Sequence, residues 1–197
     1  MSLAGYFSTM ARNNAWSNYR LLAACALLTQ AEFEARRTSF FPSLKQTLNH
    51  ILTVDWYYLD ALEGAGRGLA VFDDETPCAS VAELRAAQAE SDRRLIRFCD
   101  ASTDDQLAGE IVLVRPGDLR LAERVDRTLA HLFVHETHHR GQAHAMLAGT
   151  SVVPPQLDEF LLASDASLRA ADLGELGFDE GDIWPPERLG CNVPFRP

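Results

Sequence analysis

Apolar residues along the chain recur mainly at helical spacing. Between Leu3 and about Thr29, the positions Tyr6, Met10, Ala11, Trp16, Leu21, Leu22, Cys25 and Leu28 return every three or four residues with no internal proline, which predicts one long amphipathic helix. Ala31 to Phe40 reads as a connector. A second helix is expected from near Pro42, since proline is tolerated in a first turn, to about Glu63, where Gly64 and Gly66 end it. Its stripe is Leu44, Leu48, Ile51, Leu52, Leu59 and Leu62. Phe72 to Cys78 is polar and turn-like, and Ser80 with Glu83 forms a capping box that opens a third helix ending near Phe98.

The period then shortens. Glu110 to Arg115 and Leu119 to Glu123 alternate on either side of Pro116, Gly117 and Asp118, which predicts a short hairpin or loop insertion. A fourth helix should run from about Val125 to Ala148 with Gly149 as its stop, its stripe being Leu129, Leu132, Phe133, Ala143 and Leu147. After Pro154 and Pro155 a further helical stretch is expected around Leu157 to Leu173, followed from Gly174 by a tail rich in Gly, Pro and acids that wraps the surface. Four long helices are the elements of an all-α helix bundle, in which sites are built from side chains of facing helices. Residues 1–150 would form the bundle, and residues 151–197 an extension packed on the same domain.

Composition narrows the classes of function. With 47% apolar residues in 197, the chain can bury a substantial core without staples. A net charge of −10 argues against nucleic acid, because gripping phosphates needs a clustered basic surface, and Arg93, Arg94 and Arg97 make up one face of one helix. Cys25, Cys78, Cys99 and Cys191 stand at no metal-binding or redox spacing and read as reduced thiols. No run approaches the roughly 18 apolar residues of a membrane span, and no basic region precedes an apolar core at the start, so the cytoplasm is the expected location.

The histidines carry the chemistry. Five of the six lie between His131 and His144, and the sixth, His50, is on the second helix. Residues four apart share a helical face, so His135 and His139 can aim ring nitrogens at one ion, with His131 a turn further along the same row. A third ligand must come from elsewhere, and His50 on a facing helix is the one histidine outside the cluster, which leaves a fourth position for water or substrate. His138 and His144 point further round the helix.

His135-Glu136-Thr137-His138-His139 also fits the zincin pattern, in which the glutamate acts as general base in a protease. The extended metzincin register fails, because Gly141 follows His139 at two residues where three are required, and His144 at five where six are required. Glu136 stands four residues before Arg140, an orientation that favours a helix ion pair within the apolar stripe. Asp55 falls among the leucines of the second helix and demands a partner, Arg140 or a histidine being the candidates. Trp16 and Trp56 read as core or pocket wall.

Asn14-Ala15-Trp16-Ser17-Asn18, Leu48-Asn49-His50-Ile51-Leu52 followed by Asp55-Trp56, and His135 through Gln142 together resemble the DinB family, the damage-inducible metalloenzyme family distinct from the similarly named DNA polymerase. The resemblance spans about residues 3 to 150. It implies an up-down-down-up four-helix bundle, commonly a homodimer, with one divalent ion, zinc or nickel, held by His50, His135 and His139. Related bundles include metal-dependent thiol transferases that use bacillithiol or mycothiol. The function expected is therefore a small-molecule, thiol-using transferase or a hydrolase, with Glu136 the one candidate for a catalytic side chain. The alternatives are a non-catalytic metal-binding stress protein, a structural dimer module and, last, a zincin-like protease.

Overall fold

The structure is a computed structural model that describes residues 2–184. The described residues are mostly helical, with one two-stranded sheet. Its elements are α1 (Leu3–Cys25), α2 (Gln30–Glu34), α3 (Leu44–Glu63), α4 (Val81–Ala101), α5 (Asp104–Ala108), β1 (Glu110–Arg115), β2 (Leu119–Arg124), α6 (Val125–Leu147), α7 (Ala166–Leu176) and α8 (Glu180–Ile183).

Local chemistry sets the boundaries. The Ser2 hydroxyl accepts from the Gly5 amide to start α1, which ends a turn earlier than its apolar pattern implies. Thr29 is recruited instead as N-cap of α2, where it and Glu32 form a capping box, so the expected connector contains a short helix. The α3 helix begins at Leu44 because Ser43 caps it through the Gln46 amide, leaving Pro42 just outside. Gly64 ends α3 in the left-handed conformation, as glycine alone does without strain. The Ser80–Glu83 capping box opens α4, which continues to Ala101, one turn beyond Phe98. The hairpin forms with Glu110 opposite Arg124 and Arg115 opposite Leu119, Gly117 and Asp118 both taking positive φ at the turn.

The helix expected over Leu157 to Leu173 starts only at Ala166, and Gly174 lies inside it. Gly177, not Gly174, makes the left-handed stop, with the Phe178 amide bonding back to the Leu173 carbonyl. Upstream, Phe160 sits in an extended segment that drops its ring fully out of solvent onto Trp16, together with Leu173 and Ile183. Of the tail from Gly174, whose composition reads as a surface wrap, Ile183 is fully buried in this cluster. Cys191 lies outside the described residues.

Of the long helices, α1 lies mainly against α4 and α3 against α6, with α3 also meeting α4 and α1 meeting α6. One apolar cluster gathers Phe7, Tyr58, Leu59, Leu95, Leu129 and Phe133, and a second gathers Leu21, Leu44, Ile51, Leu52, Leu84 and Leu147. Polar side chains occupy the middle of the interior between these four helices, and beside them α3 and α6 bring the histidines together.

Candidate metal centre

His50 on α3 and His135 and His139 on α6 place ligand-capable nitrogens within 4.8 Å of one another. The His50 and His135 Nε2 atoms are 3.1 Å apart. Two imidazole lone pairs repel at that range unless a proton or cation lies between them, so the arrangement fits a shared ion. The His139 Nδ1 lies 2.8 Å from the Gln142 Oε1, while the Gln142 amide nitrogen meets the His138 Nε2 at 3.1 Å. Because the Gln142 oxygen can only accept, the proton of His139 belongs on Nδ1, and its Nε2 lone pair is free for a metal. Burial, and then the neighbouring imidazoles, push His50 down to about 4. Burial pushes His135 to about 4 as well, and lowers His139. All three are thus neutral near pH 7, the form that ligates.

The other histidines turn elsewhere. The His131 ring is 6.5 Å from that of His135 and edge-on to Tyr58. His138 is exposed, and His144 meets the Pro155 carbonyl at 2.9 Å.

The His135 Nδ1 is buried without a hydrogen bond, and so is the Glu136 Oε1 that stands 3.7 Å away. Glu136 is fully buried behind His135, and its other oxygen accepts from Arg140 at 3.2 Å, the ion pair expected at this spacing. This position suits a carboxylate that receives the far N–H of a ligating histidine. A general base for an attacking water would have to face the open side, where Glu136 does not reach.

Behind the histidines lies a buried polar network that sequence reasoning missed in large part. Arg140 donates to Asn14, Asn18 and Glu136; Gln88 donates to Asp55 at 2.6 Å; and Asp92 accepts from Asn14, Asn18 and Gln88. Asp55 finds its partner in Gln88 and in the Glu136 carboxyl within hydrogen-bonding reach, whereas Arg140 acts on it only through charge. Three buried carboxyls share one guanidinium, so electroneutrality requires protons to stay on the acids. Burial accordingly pushes Asp92 and Glu136 up to about 7 and Asp55 well above its usual range. The available signal was Arg140 itself, a charge in an apolar stripe, facing Asn14 and Asn18 one turn apart on the first helix.

In front of the histidines a cavity of about 480 Å³ opens between α3 and the tip of the hairpin. His50 and His135 stand at its edge, Phe41, Tyr57, Tyr58 and Phe72 supply aromatic wall, and Arg115 and Glu75 supply charge. Tyr57 holds the hairpin over the helix by donating to the Val114 carbonyl at 2.6 Å. The sequence gives no direct sign of Phe41 or Arg115, because only the fold carries them to the cavity. Cys25, Cys78 and Cys99 are free and buried, and burial pushes Cys25 and Cys99 up to about 12, so neither is an activated nucleophile. Three convergent neutral imidazoles beside a partly apolar cavity can hold a divalent ion and present it to a small molecule.

A family model described as the DinB family matches residues 1–170. The chain is 24% identical over 155 residues to Protein DinB of Bacillus subtilis (strain 168), covering 75% of this chain and 89% of that protein.

Proposed function

This chain belongs to the DinB family, and from that premise we propose that it is a divalent-metal-dependent enzyme acting on a small molecule, with His50, His135 and His139 as the ligands. The observation that carries the reading is the convergence of three neutral imidazoles from two helices at the edge of a cavity. Zinc or nickel suits an all-imidazole set. A divalent ion there supplies Lewis acidity, which lowers the pKa of a thiol or water that reaches it. The chain's own residues do the remaining work. Gln142 fixes the His139 tautomer, Glu136 backs His135, and Phe41, with its ring 4.4 Å from that of His50, shields the site from bulk water. Thiol transfer is preferred to hydrolysis on the family resemblance alone, and the thiol would come from a small molecule, since the cavity lining among the described residues holds no cysteine.

The four long helices are read as an up-down-down-up bundle, and the protein as a homodimer. An exposed apolar strip of Leu3 and Tyr6 on α1 and Val134 on α6 is the surface such a dimer would cover. Nucleic acid is not expected as a partner, since Arg93 and Arg97 pair with Glu90, and Arg94 with Glu63. Among the described residues no helix is long and apolar enough to cross a membrane.

Elemental analysis after reconstitution should find about one zinc or nickel per chain in the wild type, and little in a His135→Ala, His139→Ala double variant. Light scattering on the same sample should give twice the 21.8 kDa chain mass. Small thiols should then perturb the spectrum of a cobalt- or nickel-loaded sample. Metal binding without any thiol effect or turnover would favour a storage or stress role, and failure to bind metal would remove the enzyme reading.

A further inference from the structure

We propose that the cavity beside the histidines takes a small organic acid with a flat apolar body, its carboxylate held by Arg115 and its body held among Tyr57, Tyr58 and Phe72. This assignment of substrate class rests on the reading of the cavity as the enzyme's substrate site.

Arg115 ends β1, one residue before the turn, and lines the cavity. Its guanidinium sits 5.8 Å from the Tyr57 ring centroid and beside the Tyr58 hydroxyl, and Glu123 acts on it only through space. Among the described residues no carboxylate comes within ion-pairing distance of it. That sets it apart from Arg12, Arg20, Arg94, Arg124 and Arg169, each of which has an acidic partner. A half-buried arginine beside the Tyr57 ring, with the Tyr58 hydroxyl as its hydrogen-bonding neighbour and no carboxylate partner, still has donors of its planar fork to offer, and two of them match a carboxylate in bidentate fashion.

The placement of Arg115 is enforced. The Tyr57 hydroxyl bonds to the Val114 carbonyl, the residue before Arg115, and so ties this stretch of hairpin to the helix that carries His50. Along α3, His50, Thr53, Val54, Tyr57 and Tyr58 follow one face into the cavity, so a ligand lying along that face would run from the histidines toward the hairpin. The walls are mostly apolar, which favours a flat hydrocarbon body over a sugar or peptide.

Charge selects the same ligand. The protein carries a net −10, yet the charged side chains of this cavity are Arg115 and the exposed Glu75, with the histidines at the other end. Bound metal would make the cavity net positive inside an acidic protein, a local field that concentrates anions.

The test is calorimetric titration of 3-phenylpropionate, its neutral isostere 3-phenylpropanamide, and propionate into metal-loaded and metal-free wild type, Arg115→Gln and Arg115→Lys. The expectation is that phenylpropionate binds wild type at least about tenfold more tightly than the amide or propionate, the discrimination a charge-assisted bidentate contact gives. Arg115→Gln should erase the preference for acid over amide with metal content and melting temperature unchanged, and Arg115→Lys should keep only part of it. Equal binding of acid and amide by wild type overturns the proposal. So does an acid preference that survives Arg115→Gln and vanishes when metal is removed, because the carboxylate is then held by the ion. An acid preference that depends on Arg115 in protein that binds no metal would sustain this inference while sinking the metal-enzyme reading.

Discussion

A ligating imidazole must present one nitrogen to the ion and dispose of the other, and the three histidines differ in how they do so. His139 gives its Nδ1 proton to Gln142, which fixes ring and tautomer before any metal arrives. His135 faces Glu136 across 3.7 Å, a gap that a small rotation of either side chain would close once Nδ1 is committed as a donor. Removing Gln142 therefore leaves a ring that can flip or present the wrong nitrogen. Gln142→Ala should weaken metal affinity about ten- to a hundredfold, with the melting temperature of metal-free protein nearly unchanged, since Gln142 is only partly buried. Competition titration against a chelator of known affinity checks this, and unchanged affinity would mean that Gln142 is merely a surface neighbour of His139.

Four helices contribute to the buried polar network: Asn14 and Asn18 from α1, Asp55 from α3, Gln88 and Asp92 from α4, and Glu136 and Arg140 from α6. Apolar periodicity made the long helices legible, and the spacing of His135 and His139 with the isolation of His50 made the candidate site legible. The network was not, because it depends on which faces meet: Asn14, Gln88 and Asp92 look like ordinary polar positions until α1 and α4 close over Arg140. The short helices α2 and α5 were illegible for a different reason, five residues being too few to display a period. The network makes stability pH-dependent in a definite direction. Asp92 rises from 3.8 to about 7 on folding, so between those values the folded chain holds a proton that the unfolded chain has released. Stability contributed this way is lost as pH climbs through the window, and the loss is complete above about 7. The metal-site histidines act oppositely, since their lowered values make the unfolded chain the better proton acceptor at acid pH. Comparing variant with wild type cancels the histidine contribution. Asp92→Asn retains an acceptor oxygen for Asn14, Asn18 and Gln88, so its stability relative to wild type in metal-free protein should improve from pH 5 to about pH 7 and level off by pH 8. Urea unfolding across that range reads the difference, and an offset independent of pH would show that Asp92 is ionised throughout.

At the scale of the whole molecule, the histidine site and the C-terminal segment rest on opposite ends of the packing problem. The site uses α3 and α6, whereas Phe160, Leu173 and Ile183 close over Trp16 on α1. Trp16 is fully buried, its indole N–H donates to Asp172 at 3.2 Å, and the Arg20 guanidinium lies over its ring at 4.3 Å while bonding to Asp172 and Glu159. Arg169, also fully buried, reaches the Glu159 and Leu162 carbonyls and pairs with Glu180, which holds the extended segment around Phe160 against α7 and α8. Without this segment α1 would expose an indole in the middle of its length. Phe160→Ala removes a ring that is wholly out of solvent and lies tilted against Trp16 with centroids 5.4 Å apart, leaving a cavity that the tethered tail can only partly fill. It should destabilise the protein by about 3 kcal/mol or more, and it should shift tryptophan emission to longer wavelength as water reaches Trp16. Because none of the three histidines touches this cluster, metal stoichiometry and affinity in the folded variant should match wild type. Loss of metal affinity with little loss of stability would reverse the assignment, making the tail a support of the site and not of the fold.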